Sequence, residues 1–280
     1  MSQSYSDVVQ TARDYYNSED ADNFYVHIWG GEDIHIGLYQ SEREDIAAAS
    51  RRTVERLADR LPAIGADARV LDIGSGYGGA ARYLAKRFGC KVIALNLSEK
   101  ENKRNRELSM DAGLGGLVEV VDGSFEAIPL EDASVDVVWS QDAILHSGRR
   151  DQVISEVARV LKPGGHFVFT DPMESGNCAR ADLEPVLARI HLETLGSPQF
   201  YEKTAKANGL ELVAWEEKTP QLIRHYSRVA EELSAQRANL AGRVSEAYID
   251  RMLTGLANWV RAGEAGCLAW GLLHFRKPAA

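Results

Sequence analysis

A glycine-rich turn is the strongest chemical signal in this sequence. Residues 70–79 read VLDIGSGYGG, so an apolar run leads into Asp72 and then into Gly74, Ser75 and Gly76. Glycines let a backbone turn sharply and let a ligand approach closely, and a helix that begins there offers unpaired N–H groups. Nicotinamide enzymes use similar turns, but a carboxylate at Asp72 would repel a pyrophosphate. The turn therefore favours a ligand that carries positive charge.

Polar residues follow three later apolar runs in a similar way. They are Asn96 and Leu97, then Asp122, Gly123 and Ser124, then Gln141 and His146. The carboxyl ends of parallel strands form the binding edge of an α/β sheet, so we expect these residues to share one site. Asn96 stands where an acidic residue commonly binds ribose, and its amide can still accept and donate hydrogen bonds. Each segment alone could be an ordinary turn, and a lone histidine such as His146 is more often structural than catalytic.

An aromatic segment precedes these motifs. Residues 23–39 read NFYVHIWGGEDIHIGLY and include Tyr25 and Trp29. Aromatic faces attract cations by roughly 0.5–2 kcal/mol each. The segment could fill a core or could form a flap over a ligand, and its composition leaves both interpretations open.

The apolar pattern predicts the elements that must position these motifs. Five apolar runs alternate with helical stretches and lie at 69–73, 91–95, 118–121, 135–140 and 166–170. This alternation predicts a parallel sheet with helices on both faces, in an α/β, Rossmann-like fold. Two later strands, at 210–216 and 267–276, would complete a seven-stranded sheet, and a helix is predicted between them at 244–261.

The remaining segments flank or interrupt the sheet. We expect residues 1–62 to form an N-terminal helical flap, with a helix at 46–61, and residues 63–280 to form the main domain. Insertions at about 172–208 and 217–243 would shape a substrate pocket. The first insertion contains two helical stretches, whereas the second is polar and has no predicted helix.

Composition excludes some classes of function. The 280-residue chain has a formal net charge of -9, which argues against nucleic-acid and anionic-membrane partners because both need a basic face. No run approaches the roughly 18 apolar residues of a membrane span. The spacing of the three cysteines fits neither a zinc site nor a disulfide framework. Together with the absence of a signal peptide, this predicts a cytoplasmic protein without a metal.

The motifs together resemble a known family. DIGSGYGG, ALNLSE, VDGSFEAIPL, VWSQDAILHS and LKPGGHFVFTDPM, in this order, resemble class I S-adenosylmethionine methyltransferases. WGGEDIHIG, ARIHLETLGSPQFY and WGLLHFRKP narrow the resemblance to the sarcosine/dimethylglycine N-methyltransferases. It implies that S-adenosylmethionine methylates dimethylglycine, and sarcosine as well, giving S-adenosylhomocysteine and the osmoprotectant glycine betaine. A monomer or a small homo-oligomer is expected.

The resemblance also implies roles for individual residues. Cofactor positions are Gly74, Ser75, Gly76, Asn96, Leu97, Asp122, Gly123, Ser124 and Gln141. Tyr25, Trp29 and His146 are the catalytic candidates, and Pro172, Met173, Arg189, Tyr201 and His225 the substrate-binding ones. The substrate carboxylate needs a cationic partner, for which Arg189, His191, Arg224 and His225 are available. Each of these could instead be a solvated surface residue. A general base is optional, because a nearby cation and desolvation both lower the pKa of an amine.

Three alternatives remain at this stage. A methyltransferase for a phosphoethanolamine-type or other lipid-like acceptor would need a cluster of Arg and Lys near the fifth strand, which FTDPMESGN does not supply. A non-catalytic S-adenosylmethionine-binding protein would share the cofactor motifs. A nicotinamide oxidoreductase is disfavoured by Asp72 and Asn96.

Overall fold

A computed structural model describes residues 7–29, 31–190 and 192–279. The helices are α1 (Asp7–Asn17), α2 (Glu19–Ile28), α3 (Ile46–Ala58), α4 (Gly79–Phe88), α5 (Glu99–Asp111), α6 (Arg150–Val160), α7 (Arg180–Arg189), α8 (Pro198–Ala207), α9 (Thr219–Gln236) and α10 (Glu246–Glu264). The strands are β1 (Arg69–Ile73), β2 (Lys91–Asn96), β3 (Val118–Asp122), β4 (Val135–Gln141), β5 (Leu161–Thr170), β6 (Met173–Glu174), β7 (Glu211–Glu217), β8 (Leu268–Ala269) and β9 (Gly271–Arg276).

Seven strands form one mixed sheet in the order β3-β2-β1-β4-β5-β9-β7. The first five are parallel, and β9 runs antiparallel to both β5 and β7. Successive strand residues face opposite sides. Thus Leu71 and Ile73 belong to an apolar cluster with α6 and α8, while Val70 and Val92 belong to another with α3 and α4. The predicted seven-stranded α/β sheet with helices on both faces is confirmed.

Helix α9 is the main difference from the sequence-based expectation. The polar segment after β7 forms an 18-residue helix that starts at Thr219, with Pro220 in its first turn. Its buried residues lie along one face at helical spacing, namely Thr219, Leu222, His225, Tyr226, Val229 and Leu233. The polar residues between them hid this period. The helix packs against α10 in a third cluster, which α2 and α7 also join. The predicted boundary at residue 62 stays a prediction.

The segment between α2 and α3 lies over α9. The Gly37 N–H donates to Nδ1 of His225 at 3.2 Å, and the Tyr39 hydroxyl lies 2.9 Å from the same nitrogen. The Trp29 ring packs on the His225 imidazole, with ring centroids 4.8 Å apart. Burial, with His35 nearby, lowers the pKa of His225 to about 3. His225 is therefore neutral at physiological pH and fixes this segment in place.

A disulfide joins Cys178 to Cys267, whose Cα atoms are 4.9 Å apart. The expectation that the cysteines form no disulfide was therefore wrong. The two residues are 89 positions apart in sequence. The short β6–β8 pairing brings them together, with the Ser175 N–H donating to the carbonyl of Cys267. The cysteines thus no longer support a reducing compartment. No described helix is both long and apolar enough to cross a membrane.

Loss of this disulfide should destabilise the protein. We expect Cys178→Ser to lower the free energy of unfolding by roughly 2–4 kcal/mol, because the bond closes a long loop and restricts the unfolded chain. Thermal unfolding without reductant measures the loss. In the presence of a thiol reductant, wild type and variant should unfold at the same temperature, and a difference that persists there would contradict the prediction.

Burial of a neutral His225 should make stability depend on pH. Its folded pKa of about 3 lies below the usual 6.5, so below pH 6.5 the unfolded chain takes up the proton first and stability is lost as pH falls. In His225→Gln, this loss should shrink by up to about 1.4 kcal/mol per pH unit between about pH 6 and 4. Denaturant unfolding across that range measures the slope. His27→Gln, at an exposed position, is the control; equal slopes for wild type and His225→Gln would refute the assignment.

Candidate active site

The glycine turn follows β1 and leads into α4. Gly74 and Gly76 have positive φ angles of 74° and 50°, which favour glycine. A Cβ at Gly74 would lie only 2.4 Å from Cβ of Ala143 in the loop after β4. One at Gly76 would lie 3.1 Å from the Ile34 side chain. Glycine is therefore required at Gly74, and the turn lies between the β4 loop and the N-terminal segment.

A cavity, here called the inner cavity, lies at the carboxyl ends of β1 to β4. Seven of the nine predicted cofactor residues line it, namely Gly74, Gly76, Asn96, Leu97, Gly123, Ser124 and Gln141. Ser98, Glu101 and Phe125 line it as well, and α1 covers it with Val9, Ala12, Arg13 and Tyr16. The geometry of the parallel sheet thus brings together the strand-end residues that sequence reasoning had grouped.

Ser75 and Asp122 are not among the residues that line the inner cavity. The Ser75 N–H donates to the Leu95 carbonyl at 3.2 Å. The Asp122 carboxylate accepts hydrogen bonds from Asn102 and Arg106 of α5, at 2.6 and 2.7 Å. Helix α5 packs beside β3, so the Asp122 carboxylate is already paired within the protein. Its role as an adenine ligand stays a prediction.

Glu101 is a site residue that sequence reasoning missed. It is only 4% exposed, and its Oε2 accepts a hydrogen bond from the Asn96 amide at 2.8 Å. Burial raises the pKa of Glu101 to about 7, although the bond from Asn96 lowers it. Ser98 and Glu101 have the spacing of a helix-capping box, which would have placed Glu101 in the first turn of α5. The Glu101 carboxylate does not cap α5. It lies beside Asn96 and so places an acidic group where one commonly binds ribose.

A second cavity of about 1000 Å³, here called the outer cavity, adjoins the inner one. Its walls are rich in aromatic side chains from α1, α2, α9 and α10, namely Tyr15, Tyr16, Tyr25, Trp29, Tyr226, Tyr248 and Trp259. Ala12, Tyr16, Ile34, Asp142 and His146 line both cavities and mark the place where they meet. The two cavities are therefore separated only by these shared side chains.

All three predicted catalytic residues reach the outer cavity. His146 lies in a short 3-10 helix after β4, with Nε2 2.9 Å from the Tyr16 hydroxyl. Burial, with Arg189 nearby, lowers the pKa of His146 to about 4, so the imidazole is neutral at physiological pH. Tyr25 stacks on Tyr16 with centroids 5.9 Å apart, and the Trp29 indole donates to the carbonyl of His35.

Two of the predicted substrate-binding residues, Pro172 and Arg189, line the outer cavity. Arg189 ends α7, and its Nη2 lies 2.7 Å from Sδ of Met252. Among the described residues no carboxylate forms an ion pair with Arg189. A cation that forms no ion pair with any described carboxylate is available to a ligand carboxylate.

Three other substrate-binding candidates are not in the cavity lining. Met173 is buried in β6 and pairs with Ala269, and His225 lies behind Trp29. Tyr201 is fully buried, and its hydroxyl donates to Asp171 at 2.6 Å. These residues pack behind the lining, and their roles as substrate ligands stay predictions. Arg224 does not line the cavity, and His191 lies outside the described residues.

Asp142 is the second residue that sequence reasoning missed, although it lies in the quoted WSQDAILHS motif. Its φ of 50° is unusual for a residue other than glycine, and such strain is concentrated at functional sites. One carboxylate oxygen accepts the Ile36 N–H at 2.7 Å, and the other accepts the Trp270 indole N–H at 2.8 Å. Burial raises the pKa of Asp142 to about 6. Asp142 thereby ties the N-terminal segment to the sheet where the cavities meet.

Comparison with known proteins agrees with this geometry. Residues 71–169 match a methyltransferase domain family. The chain is 54% identical over 269 residues to a sarcosine/dimethylglycine N-methyltransferase of Halorhodospira halochloris, covering 96% of both chains. It is 56% identical to a glycine/sarcosine/dimethylglycine N-methyltransferase of Actinopolyspora halophila, which spans 97% of this chain but only 48% of that longer relative.

A solved structure shows the same fold. It is that of a proposed sarcosine dimethylglycine methyltransferase from Galdieria sulphuraria, with 42% identity and a TM-score of 0.90 over 95% of this chain and all of the other. The chain therefore belongs to the sarcosine/dimethylglycine N-methyltransferase family and is a methyltransferase.

Proposed function

We propose that this enzyme transfers the methyl group of S-adenosylmethionine to the nitrogen of dimethylglycine, and of sarcosine, and so produces glycine betaine. The names of its relatives support these acceptors. The observation that carries the proposal is the junction of a glycine-turn cavity with an aromatic cavity that contains Arg189. Betaine is a compatible solute, so we propose a cytoplasmic role in osmoprotection with small-molecule partners only.

The residues that line the inner cavity suit S-adenosylmethionine, but the volume of about 80 Å³ means that its walls must separate for the whole cofactor to enter. The buried Nε2 of Gln141, which lines this cavity, has no hydrogen-bond partner within the described part of the chain. We assign the methionine portion to the glycine turn and Gln141, and the ribose hydroxyls to Asn96 and Glu101. Gly123, Ser124 and Phe125 would contact adenine. When bound, this cofactor supplies a methyl group already activated by a positively charged sulfur.

Aromatic side chains suit the cationic product at the junction. Tyr16, Tyr25 and Trp29 line the outer cavity next to the inner one. Each face can stabilise a quaternary ammonium by roughly 0.5–2 kcal/mol. A neutral acceptor amine gains less from these faces, so the walls favour the state in which charge has moved onto nitrogen.

The acceptor amine must lose its proton before it can react. His146 lies at the junction and is neutral, since burial lowers its pKa to about 4. Its Nε2 is already paired with the Tyr16 hydroxyl at 2.9 Å. We propose that the amine binds in its neutral form and that this pair orients its lone pair, while Arg189, which lines the same cavity, holds the acceptor carboxylate.

The first experiment is a product assay with glycine, sarcosine and dimethylglycine in separate reactions. We expect methylation of dimethylglycine and sarcosine, because Arg189 and the aromatic walls recognise a carboxylate and a methylated amine. Mass spectrometry of the products measures it. Binding of S-adenosylmethionine without methylation of any of the three would overturn the acceptor assignment.

The role of Arg189 predicts a selective loss of acceptor binding. Arg189→Met should raise KM for dimethylglycine by roughly 10- to 100-fold, because a charge-assisted hydrogen bond to the carboxylate is lost. Arg189→Lys, which keeps the positive charge, should raise this KM by a smaller factor. Arg251→Met is the matched control, since Arg251 is exposed at the same cavity. A KM for Arg189→Met within twofold of wild type would exclude this anchor.

Glu101 should matter for cofactor affinity. We expect Glu101→Ala to weaken S-adenosylmethionine binding by roughly tenfold or more, because the ribose loses a buried acceptor. Glu101→Gln, which keeps a hydrogen-bond acceptor, should weaken S-adenosylmethionine binding by a smaller factor. Isothermal calorimetry measures the affinity, with Glu107→Gln as a control on the exposed face of the same helix. Equal affinities for wild type and Glu101→Ala would remove Glu101 from the ribose site.

A further inference from the structure

A glycine lies in the middle of the continuous helix α10, where the helix itself does not require one. Gly255 lies inside a 19-residue helix and has no left-handed backbone angle. Glycine is among the weakest helix formers, so its presence there calls for a tertiary cause. The chain's other glycine within this helix, Gly263, has an evident one, because a Cβ there would lie 2.6 Å from Ile223 of the adjacent α9.

Gly255 meets the side chain of Arg189 instead. A Cβ at Gly255 would lie 2.0 Å from Nε and 2.1 Å from Cδ of Arg189. One turn earlier on α10, Sδ of Met252 lies 2.7 Å from Nη2 of the same guanidinium. Gly255 and Met252 thus form a flat surface on the helix, here called the arginine seat, across which the Arg189 side chain lies.

The arginine seat holds the Arg189 guanidinium at the wall of the outer cavity. Arg189, Met252 and Gly255 all line that cavity. Since no described carboxylate pairs with Arg189, contacts with the seat rather than an ion pair hold the side chain in this position. An alanine at Gly255 would displace the guanidinium by more than about 1 Å, a shift of the size that disrupts aligned reaction geometry.

We infer that Gly255 is a specificity-determining positioning residue: by allowing Arg189 to lie against α10, it sets where the acceptor carboxylate is held. This inference rests on the proposed function, because it takes Arg189 as the carboxylate anchor. Gly255 itself touches no reacting atom, so its effect must pass through Arg189.

The test is a double-mutant cycle between the two positions. Gly255→Ala should raise KM for dimethylglycine about tenfold, with kcat changed less than KM and the fold retained, because alanine is the better helix former. In the Arg189→Met background the same substitution should change KM by less than twofold. Arg261→Ala, at an exposed position on the same helix outside the cavity lining, is the control expected to leave KM near wild type.

The outcomes separate this inference from the proposed function. An unchanged KM in Gly255→Ala, or an equal rise with and without Arg189, would overturn the inference while wild-type activity on dimethylglycine still supports the function. Absence of wild-type activity would reject the function. In that case unfolding temperatures test the seat alone: Gly255→Ala should stabilise the Arg189→Ala protein, which lacks the atoms that meet the new Cβ, more than the wild type, and equal shifts would reject the contact.

Discussion

The hydrogen bonds accepted by the Asp142 carboxylate are the interaction on which both cavities depend. Asp142 follows β4 in a left-handed conformation and accepts hydrogen bonds from the Ile36 backbone and the Trp270 indole. The N-terminal segment and the strand that closes the sheet are thus attached to one side chain. A buried carboxylate that loses a partner is strongly unfavourable, so this geometry is retained despite the backbone strain. The inner and outer cavities meet at this point because Asp142 fixes their common wall.

Neutral polar groups carry much of the support behind the aromatic walls. His225 holds the segment around Gly37, and Tyr201 donates to the buried Asp171 that precedes Pro172. Burial raises the pKa of Asp171 to about 8 and lowers that of His225 to about 3, so both are uncharged at neutral pH. Uncharged supports of this kind add no further charge near Arg189, which lines the outer cavity together with the carboxylates of Glu19, Asp20, Asp142 and Asp250.

Sequence patterns predicted the sheet and the strand-end residues, because both depend on local periodicity and on the convergence of parallel strands. Gly74, Asn96 and Gln141 were found for this reason. Residues on the later helices were harder, because which side of a helix faces a ligand depends on its partners. Tyr201 and His225 lie outside the lining of the outer cavity for that reason, and Tyr16 and Tyr248, which line it, were overlooked.

Other features were not predicted because their signal in the sequence is long-range or ambiguous. The disulfide joins residues 89 positions apart that meet only through the β6–β8 pairing. Helix α9 was hidden by polar residues between its buried positions, although Thr219-Pro220 is a typical helix start. Glu101 had the spacing of a helix cap, and only the packed structure shows its carboxylate beside Asn96.

The position of β9 bears on how the chain folds during synthesis. This strand is the last of the sheet in chain order, yet it lies between β5 and β7 and pairs with both. Until residues 271–276 have left the ribosome, β5 has an unpaired edge and β7 has no neighbour to join. Such edges are prone to intermolecular pairing. The nascent protein therefore has to protect a nearly complete sheet until β9 is inserted, and any truncation before residue 271 would detach β7 from the fold.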